Sequence, residues 1–174
     1  MPSRYQEQRS HLDVVEAQPA KTWLEAAEQH LERQAAAWRE KLYGSSLDRS
    51  EAKKHIAALG RIRLLLEGDA QVGKDNKKKL PIQGSDDINV RRVRRAELLT
   101  PKGWREGIRE RLIRAADESE KRFIQDQSPL ASDADMVDAI ELKSFVAQLD
   151  FVAARGEESR AILARQAMKV EKVA

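Results

Sequence analysis

The chain of 174 residues is long enough for one domain or two small ones, with 41% hydrophobic, 35% charged and only 5% aromatic residues. This composition is typical of long helices rich in alanine, leucine, glutamate and arginine, and it argues against a β-sandwich or barrel. The absence of cysteine excludes disulfides and thiolate metal sites, and the sequence has no run of about 18 apolar residues that would span a bilayer.

The net charge of +3 is distributed unevenly along the chain. Residues 1–73 contain equal numbers of basic and acidic side chains. Residues 74–114 contain 13 basic and 6 acidic side chains, whereas residues 115–174 contain 8 and 12. The main electrostatic feature of the sequence is therefore a basic middle section between a neutral section and an acidic one.

Residues 1–18 are predicted to form an extended N-terminal arm. Their only apolar cluster consists of Leu12, Val14 and Val15, and the rest of the segment is polar. The arm also lacks the apolar stretch of a secretory signal peptide. Because such a segment has little to bury on its own, we expect it to lie on a neighbouring subunit of an assembly.

Residues 19–68 are predicted to form an antiparallel helical hairpin. Pro19 begins the first helix, since proline is tolerated in a first turn, and Gly44 ends it. Asp48 or Ser50 is expected to cap the second helix. Apolar residues at helical spacing line one face of each helix: Leu24, Ala27, Leu31, Ala35, Trp38 and Leu42 in the first, and Ala52, Ile56, Leu59, Ile62 and Leu66 in the second.

Glycine and tryptophan mark the places where helices are expected to pack closely. Gly60 lies inside the second helix, where glycine costs up to about 1 kcal/mol relative to alanine. The expected reason is close approach of the first helix, with Trp38 or Ala35 packed over the glycine. Trp23, Trp38 and Trp104 are interpreted as residues of hairpin cores or subunit interfaces.

Residues 69–100 are predicted to be a long basic loop. They are rich in glycine, lysine, aspartate and asparagine, and Pro81 interrupts regular structure. Residues 88–99 fit a short strand, a short helix or an extended arm. Two cation clusters in this loop form the predicted partner-binding site: Lys77, Lys78 and Lys79, and then Arg91, Arg92, Arg94 and Arg95.

Residues 101–156 are predicted to form a second hairpin, followed by a C-terminal helix or tail at residues 157–174. Pro101 restarts a helix whose apolar positions run at helical spacing. Gly156 is expected to bend the chain after the next helix.

The two predicted hairpins align with each other when one gap is allowed. Residues 21–25 match residues 102–106 in the positions of a lysine, a tryptophan and a glutamate. Duplication of one hairpin explains this similarity. The alternative is that any two amphipathic hairpins align equally well once a gap is introduced.

No pattern of side chains predicts catalysis. Residues 68–75 approach a phosphate-binding P-loop, but Asp75 stands where the motif needs Ser or Thr. His11, His30 and His55 lack the Glu-x-x-His spacing of a di-iron bundle, and two of the three are expected to be partly exposed helix residues. We therefore predict a protein that is not an enzyme and has no metal or cofactor.

The cation clusters leave three interpretations open. They dock on the acidic helices of an adjacent copy or another subunit, they neutralise nucleic-acid phosphates, or they form a solvated loop. The sequence around them has no interleaved aromatic residues for base stacking and no helix-turn-helix or zinc-finger pattern.

The second helix of the first hairpin carries Glu51, then Leu59-Gly60-Arg61-Ile62 and Leu65-Leu66. This pattern resembles short helical hairpins of minor structural proteins of tailed bacteriophages. The size, the polar arm and the charged loop are similar to those of head-to-tail adaptors of short-tailed phages. The resemblance implies a ring of subunits that contacts a portal or tail protein.

Together these features predict an all-α bundle of two antiparallel helical hairpins with a basic central loop and an extended N-terminal arm. The predicted function is structural: a non-enzymatic virion component, either similar to a head-to-tail adaptor or another minor capsid or tail protein. It is expected to be assembled in the host cytoplasm and to bind copies of itself and other structural proteins. No membrane partner is expected. The alternative is a nucleic-acid-binding protein that uses the basic loop on phosphates.

Overall fold

Helices account for all the regular structure in the described part of the chain. The computed structural model describes residues 22–75, 87–126 and 133–173, and within these ranges it confirms the predicted all-α class. The helices are α1 (Trp23–Glu40), α2 (Ser46–Glu67), α3 (Ala70–Asp75), α4 (Ile88–Leu99), α5 (Arg109–Gln125) and α6 (Ala134–Val173), with a 3₁₀ turn at Lys41–Tyr43 and a π-helical turn at Trp104–Ile108.

Helices α1 and α2 pack against each other, as predicted for the first hairpin. The Thr22 hydroxyl caps α1 by accepting a hydrogen bond from the backbone N–H of Glu25. The predicted cap of α2 at Asp48 or Ser50 was wrong, because Ser45 is the N-cap. The Ser45 hydroxyl accepts from the backbone N–H of Asp48, and the Asp48 carboxylate accepts from that of Ser45, which completes a capping box.

The buried core confirms most of the predicted helix faces. The ring centroids of Trp104 and Phe145 lie 6.2 Å apart in an edge-to-face arrangement. All three tryptophans are buried, which agrees with their interpretation as core residues. The predicted positions that are buried are Ala27, Leu31, Ala35, Trp38, Ala52, Leu59, Ile62 and Leu66, whereas Leu24, Leu42 and Ile56 are half-buried.

Helix α6 packs against three of the other helices. Its 40 residues make it about 60 Å long at 1.5 Å per residue. Helices α2, α4 and α5 all contact it, and its contact with α5 corresponds to the second predicted hairpin. The expected bend at Gly156 is absent, because α6 continues as one helix to Val173.

Gly156 serves close packing instead of a bend. It is buried, and a Cβ added to it would overlap the Cβ of Ala96 in α4. Glycine therefore lets α4 approach the backbone of α6. The close contact predicted for Gly60 was wrong, since Gly60 is exposed and an added Cβ would have no neighbouring atom within 4 Å.

The predicted central loop is shorter than expected, because two helices lie within residues 69–100. Helix α3 occupies residues predicted to resemble a P-loop, and its Val72 is buried. Asp87 is the N-cap of helix α4, and its carboxylate accepts hydrogen bonds from the backbone N–H groups of Asn89 and Val90 at 2.8 and 3.4 Å. The predicted arm at residues 1–18 lies outside the described residues.

The helix at residues 88–99 forms because its apolar positions find a partner helix. Ala96 and Leu99 are buried, and α4 packs along α6. The sequence alone gave this segment only weak apolar anchors between its arginines. Burial against α6 decides among the three conformations that the sequence left open.

Candidate functional site

One predicted cation cluster lies on a helix that packs within the chain. The arginine cluster belongs to α4, which contacts α6. The lysine cluster, Lys77, Lys78 and Lys79, lies outside the described residues. Each arginine side chain is partly covered by the bundle and partly exposed to solvent. The four half-buried residues are Arg91, Arg92, Arg94 and Arg95.

Arg95 is close enough to α1 for its charge to influence His30. Burial is the largest cause that lowers the pKa of His30 from 6.5 to about 4. The positive charges of Arg95 and Arg33 lower it further, while the hydrogen bond to Gln148 acts in the opposite direction. His30 is therefore neutral in the folded protein at pH 7.

A buried polar cluster joins α1 to α6. Nε2 of His30 lies 2.5 Å from Oε1 of Gln148, and Nε2 of Gln34 donates to the same oxygen. The Gln148 amide nitrogen donates to Oγ of Ser144 at 3.1 Å. A neutral His30 that is protonated on Nε2 satisfies this arrangement, because two donors then converge on one carbonyl oxygen.

A second buried cluster joins α2 to α6. Nδ1 of His55 lies 2.5 Å from Oε1 of Glu141, and the exposed fractions of the two side chains are 10% and 7%. The Trp38 ring stacks on the His55 ring, with centroids 3.8 Å apart and an interplanar angle of 12°. The expectation that two of the histidines are partly exposed was wrong for His30 and His55, since both are buried.

These two clusters are suited to fixing how α1 and α2 pack on α6. Each buried polar group has its partner on another helix, so a shift in packing would leave donors and acceptors unsatisfied. Gln34, Glu141 and Gln148 were not singled out from the sequence. The spacing of two of these polar residues could have indicated the cluster, because Gln34 follows His30 by one helical turn on the buried face of α1.

Acid is expected to destabilise the protein as the pH falls from 6.5 towards 4. Unfolded His30 binds a proton in this range while folded His30 stays neutral. The stability that comes from keeping His30 neutral is therefore fully present above pH 6.5 and is lost as the pH falls towards 4. The pKa difference corresponds to roughly 3 kcal/mol in the free energy of unfolding. Urea denaturation across this range should show a shallower pH dependence for His30→Gln than for the wild type. Equal slopes would contradict the assignment, because both proteins share the same carboxylates.

The C-terminal part of α6 has a different environment from the rest of the helix. Buried positions of α6 end at Ser159, whose hydroxyl donates to Oδ1 of Asn89 at 3.1 Å. We call residues 161–173 the distal α6 segment. Its Met168, Val170 and Val173 are 60%, 69% and 88% exposed.

The exposed valines of the distal α6 segment continue a stripe that is buried in the bundle. Positions spaced alternately by three and four residues form one seam along a helix, as in a coiled coil. The buried positions of this α6 seam are Leu142, Phe145, Leu149, Val152, Gly156 and Ser159, and its continuation is Leu163, Gln166, Val170 and Val173.

Two further observations limit what the described residues contain. Within the described ranges, no three histidine, aspartate or glutamate side chains are grouped so that they could hold a metal ion. In the same ranges, no helix combines the length and apolar character needed to cross a membrane. Comparisons with protein-family models, curated proteins and solved structures found no match to this chain.

Proposed function

We propose that the protein is a non-enzymatic structural subunit that binds neighbouring protein subunits through the distal α6 segment. The observation that carries this proposal is the continuation of the α6 seam beyond the bundle. The same three-and-four spacing that buries Leu149 and Val152 leaves Val170 and Val173 exposed. Exposed apolar residues in the register of an interhelical seam favour pairing with another helix.

The dimensions of the distal α6 segment suit a contact of this kind. Residues 161–173 extend about 20 Å along the helix axis, and Leu163 is already half-buried where the segment leaves the bundle. A partner helix would therefore extend an existing packed surface.

The proposed partners are other copies of this chain and other structural proteins, such as a portal or tail protein. The proposed place in a bacteriophage virion rests on the resemblance of residues in α2 to phage hairpins. The helical bundle is compatible with that role and with other scaffolding roles.

Nucleic acid is the alternative partner for the basic residues. The four arginines of α4 retain partial exposure, which supports contact with phosphates, but α4 also packs on α6. Binding to phosphates should weaken steeply as salt concentration rises, whereas a contact with apolar anchors should persist. Salt dependence therefore distinguishes the two partners.

The test compares the solution mass of three proteins by light scattering over a wide range of concentration. The wild type should exceed its monomer mass of 19.7 kDa as concentration rises. Val170→Asp places a charge in the α6 seam and should return the mass to that of the monomer. Met168→Asp is the matched control, because Met168 is similarly exposed but lies on the opposite face of the helix.

A wild type that remains monomeric at all concentrations would overturn self-association through this surface. Equal effects of Val170→Asp and Met168→Asp would also count against the α6 seam as the interface. Helix content by circular dichroism should be the same in all three proteins, because neither substituted side chain is buried.

A further inference from the structure

We infer that two copies of this chain pair through the outward face of α2, antiparallel and related by a two-fold axis at Gly60. This surface, which we call the α2 face, consists of five exposed residues: Lys53, Ala57, Gly60, Leu64 and Glu67. It shares no residue with the distal α6 segment. The inference therefore goes beyond the proposed function and does not depend on it.

The α2 face lies between the two surfaces by which α2 packs in the subunit. On one side, Nε of Arg63 lies 3.4 Å from Oε1 of Glu28 in α1. On the other side, Nε of Arg61 donates to the Asp138 carboxylate of α6 at 2.8 Å. Consecutive residues of a helix point about 100° apart. The positions between these two arginine directions therefore face away from both α1 and α6.

Gly60 has no packing role inside the subunit. Glycine in the interior of a helix is destabilising relative to alanine. Among the described residues, no atom lies within 4 Å of a Cβ built on Gly60, so packing within the subunit does not require a glycine there. On a two-fold axis, Gly60 of one copy would face Gly60 of the other. The absence of both side chains would let the two helices approach closely at that point.

The spacing of the α2 face is that of a seam between two helices. Its five residues are separated alternately by four and three positions, the pattern of helices that cross at a shallow angle of about 20°. Leu64 lies within this pattern and is 67% exposed. In an antiparallel pair centred on Gly60, Leu64 of each copy would lie over Ala57 of the other, whose small side chain leaves room for it.

Charge selects a second copy of α2 as the partner and fixes its direction. Lys53 and Glu67 each lie seven residues from Gly60. An antiparallel pair therefore sets Lys53 of each copy opposite Glu67 of the other, and the two-fold axis makes this contact twice. A parallel pair would place like charges opposite each other, which is unfavourable.

The charges at both ends of the α2 face are suited to this contact. Among the described residues, Glu67 and Glu28 share one guanidinium, that of Arg63. Burial raises the pKa of Glu28, and its contact with Glu67 raises that pKa further. At the other end Lys53 is exposed, and its neighbour Lys54 forms the ion pair of that region. A second copy would bring Lys53 to the two crowded carboxylates.

The contact is expected to be weak by itself. Residues 53–67 extend about 21 Å along the helix axis. One helix face of this length covers less surface than the roughly 800 Å² per partner of a standard stable interface. Pairing through α2 therefore reinforces other contacts between subunits, and alone it leaves most of the protein monomeric. Covalent trapping is the suitable measurement, because it accumulates complexes that form briefly.

The test is disulfide trapping in the full chain, which contains no natural cysteine. Gly60→Cys should form covalent dimers under mild oxidation, because a residue on the axis lies beside its own symmetry mate. Leu47→Cys is the matched control, since Leu47 is 78% exposed on the same helix. In the antiparallel pair its two copies would lie about 39 Å apart along the axis. Equal trapping of the two variants would overturn the inference.

The same measurement in the Val170→Asp variant separates this inference from the proposed function. Gly60→Cys should still be trapped faster than Leu47→Cys there, because the α2 face does not include the substituted valine. A wild type whose mass is independent of concentration, together with this trapping, would reject the proposed contact and leave the inference standing. Concentration-dependent mass without trapping at Gly60→Cys would overturn the inference and leave the proposed function intact.

Charge reversal tests the register of the pair in proteins that all contain Gly60→Cys. Lys53→Glu and Glu67→Lys each place like charges opposite each other on both sides of the axis. Each should therefore slow trapping by about tenfold. A mixture of the two variants should regain the original rate between unlike copies, because both contacts would again join opposite charges. Equal rates in all samples would contradict the antiparallel register. Circular dichroism should show unchanged helix content, since both side chains are exposed.

Discussion

Replacement of His55 by leucine is expected to lower the free energy of unfolding by about 3–5 kcal/mol, because it removes one partner of a buried pair. The Glu141 carboxylate, only 7% exposed, would lose the imidazole nitrogen that lies 2.5 Å from it. The Trp38 ring would also lose its stacked neighbour. Urea denaturation at pH 7 measures the change.

Two further variants show whether the loss of stability comes from leaving the Glu141 carboxylate buried without its partner. Glu141→Gln keeps an oxygen that accepts from His55, so we expect a smaller loss of about 1 kcal/mol. The double variant His55→Leu/Glu141→Leu removes both polar groups and should regain most of the stability lost in His55→Leu. A double variant that is less stable than His55→Leu would contradict the coupling between the two residues.

Replacement of Gly156 by alanine is expected to destabilise the protein by about 1–3 kcal/mol, the usual cost of forcing extra atoms into a packed contact. The new methyl group would overlap the Cβ of Ala96, so α4 would have to move away from α6. This cost should exceed the gain in helix propensity, which is about 1 kcal/mol. Thermal and urea denaturation of the full chain provide the measurement.

The matched control for Gly156→Ala is the same change at Gly60. Gly60 also lies inside a helix, but an added Cβ would meet no atom within 4 Å, so Gly60→Ala should stabilise the protein by up to about 1 kcal/mol. Ala96→Gly combined with Gly156→Ala should restore part of the stability, because removal of the Ala96 Cβ leaves room for the new methyl group. Equal stabilisation by both glycine substitutions would show that α4 does not pack at Gly156.

The contrast between these two glycines shows a general limit of sequence reasoning here. Both lie in helices with similar local sequences, and the sequence assigned close packing to Gly60 and a bend to Gly156. The structure reverses the first assignment and replaces the second by close packing. The difference depends on which helix lies opposite each glycine, and local periodicity contains no information about that.

The same limit applies to the candidate site. The sequence located the arginine cluster, but it did not predict that Arg92 and Arg95 belong to a helix packed on α6. His30 and His55 were interpreted as partly exposed because charged residues flank them. Neighbours in sequence point to other faces of a helix, so they do not report the environment of the histidine itself.

The predicted starts of α1 at Pro19 and of α2 at Asp48 or Ser50 were wrong, since Thr22 and Ser45 are the N-caps. Local sequence was nevertheless sufficient to predict the all-α class, the end of the first helix at Gly44 and the buried faces of α1 and α2. These features depend on local interactions: apolar residues at helical spacing and, at the ends of helices, capping side chains and glycine. Tertiary structure alone decided that residues 88–99 are helical, that α6 is continuous and that histidines pair with Gln148 and Glu141. Those outcomes depend on contacts between residues far apart in the chain. The energies of such contacts cannot be inferred from the local sequence.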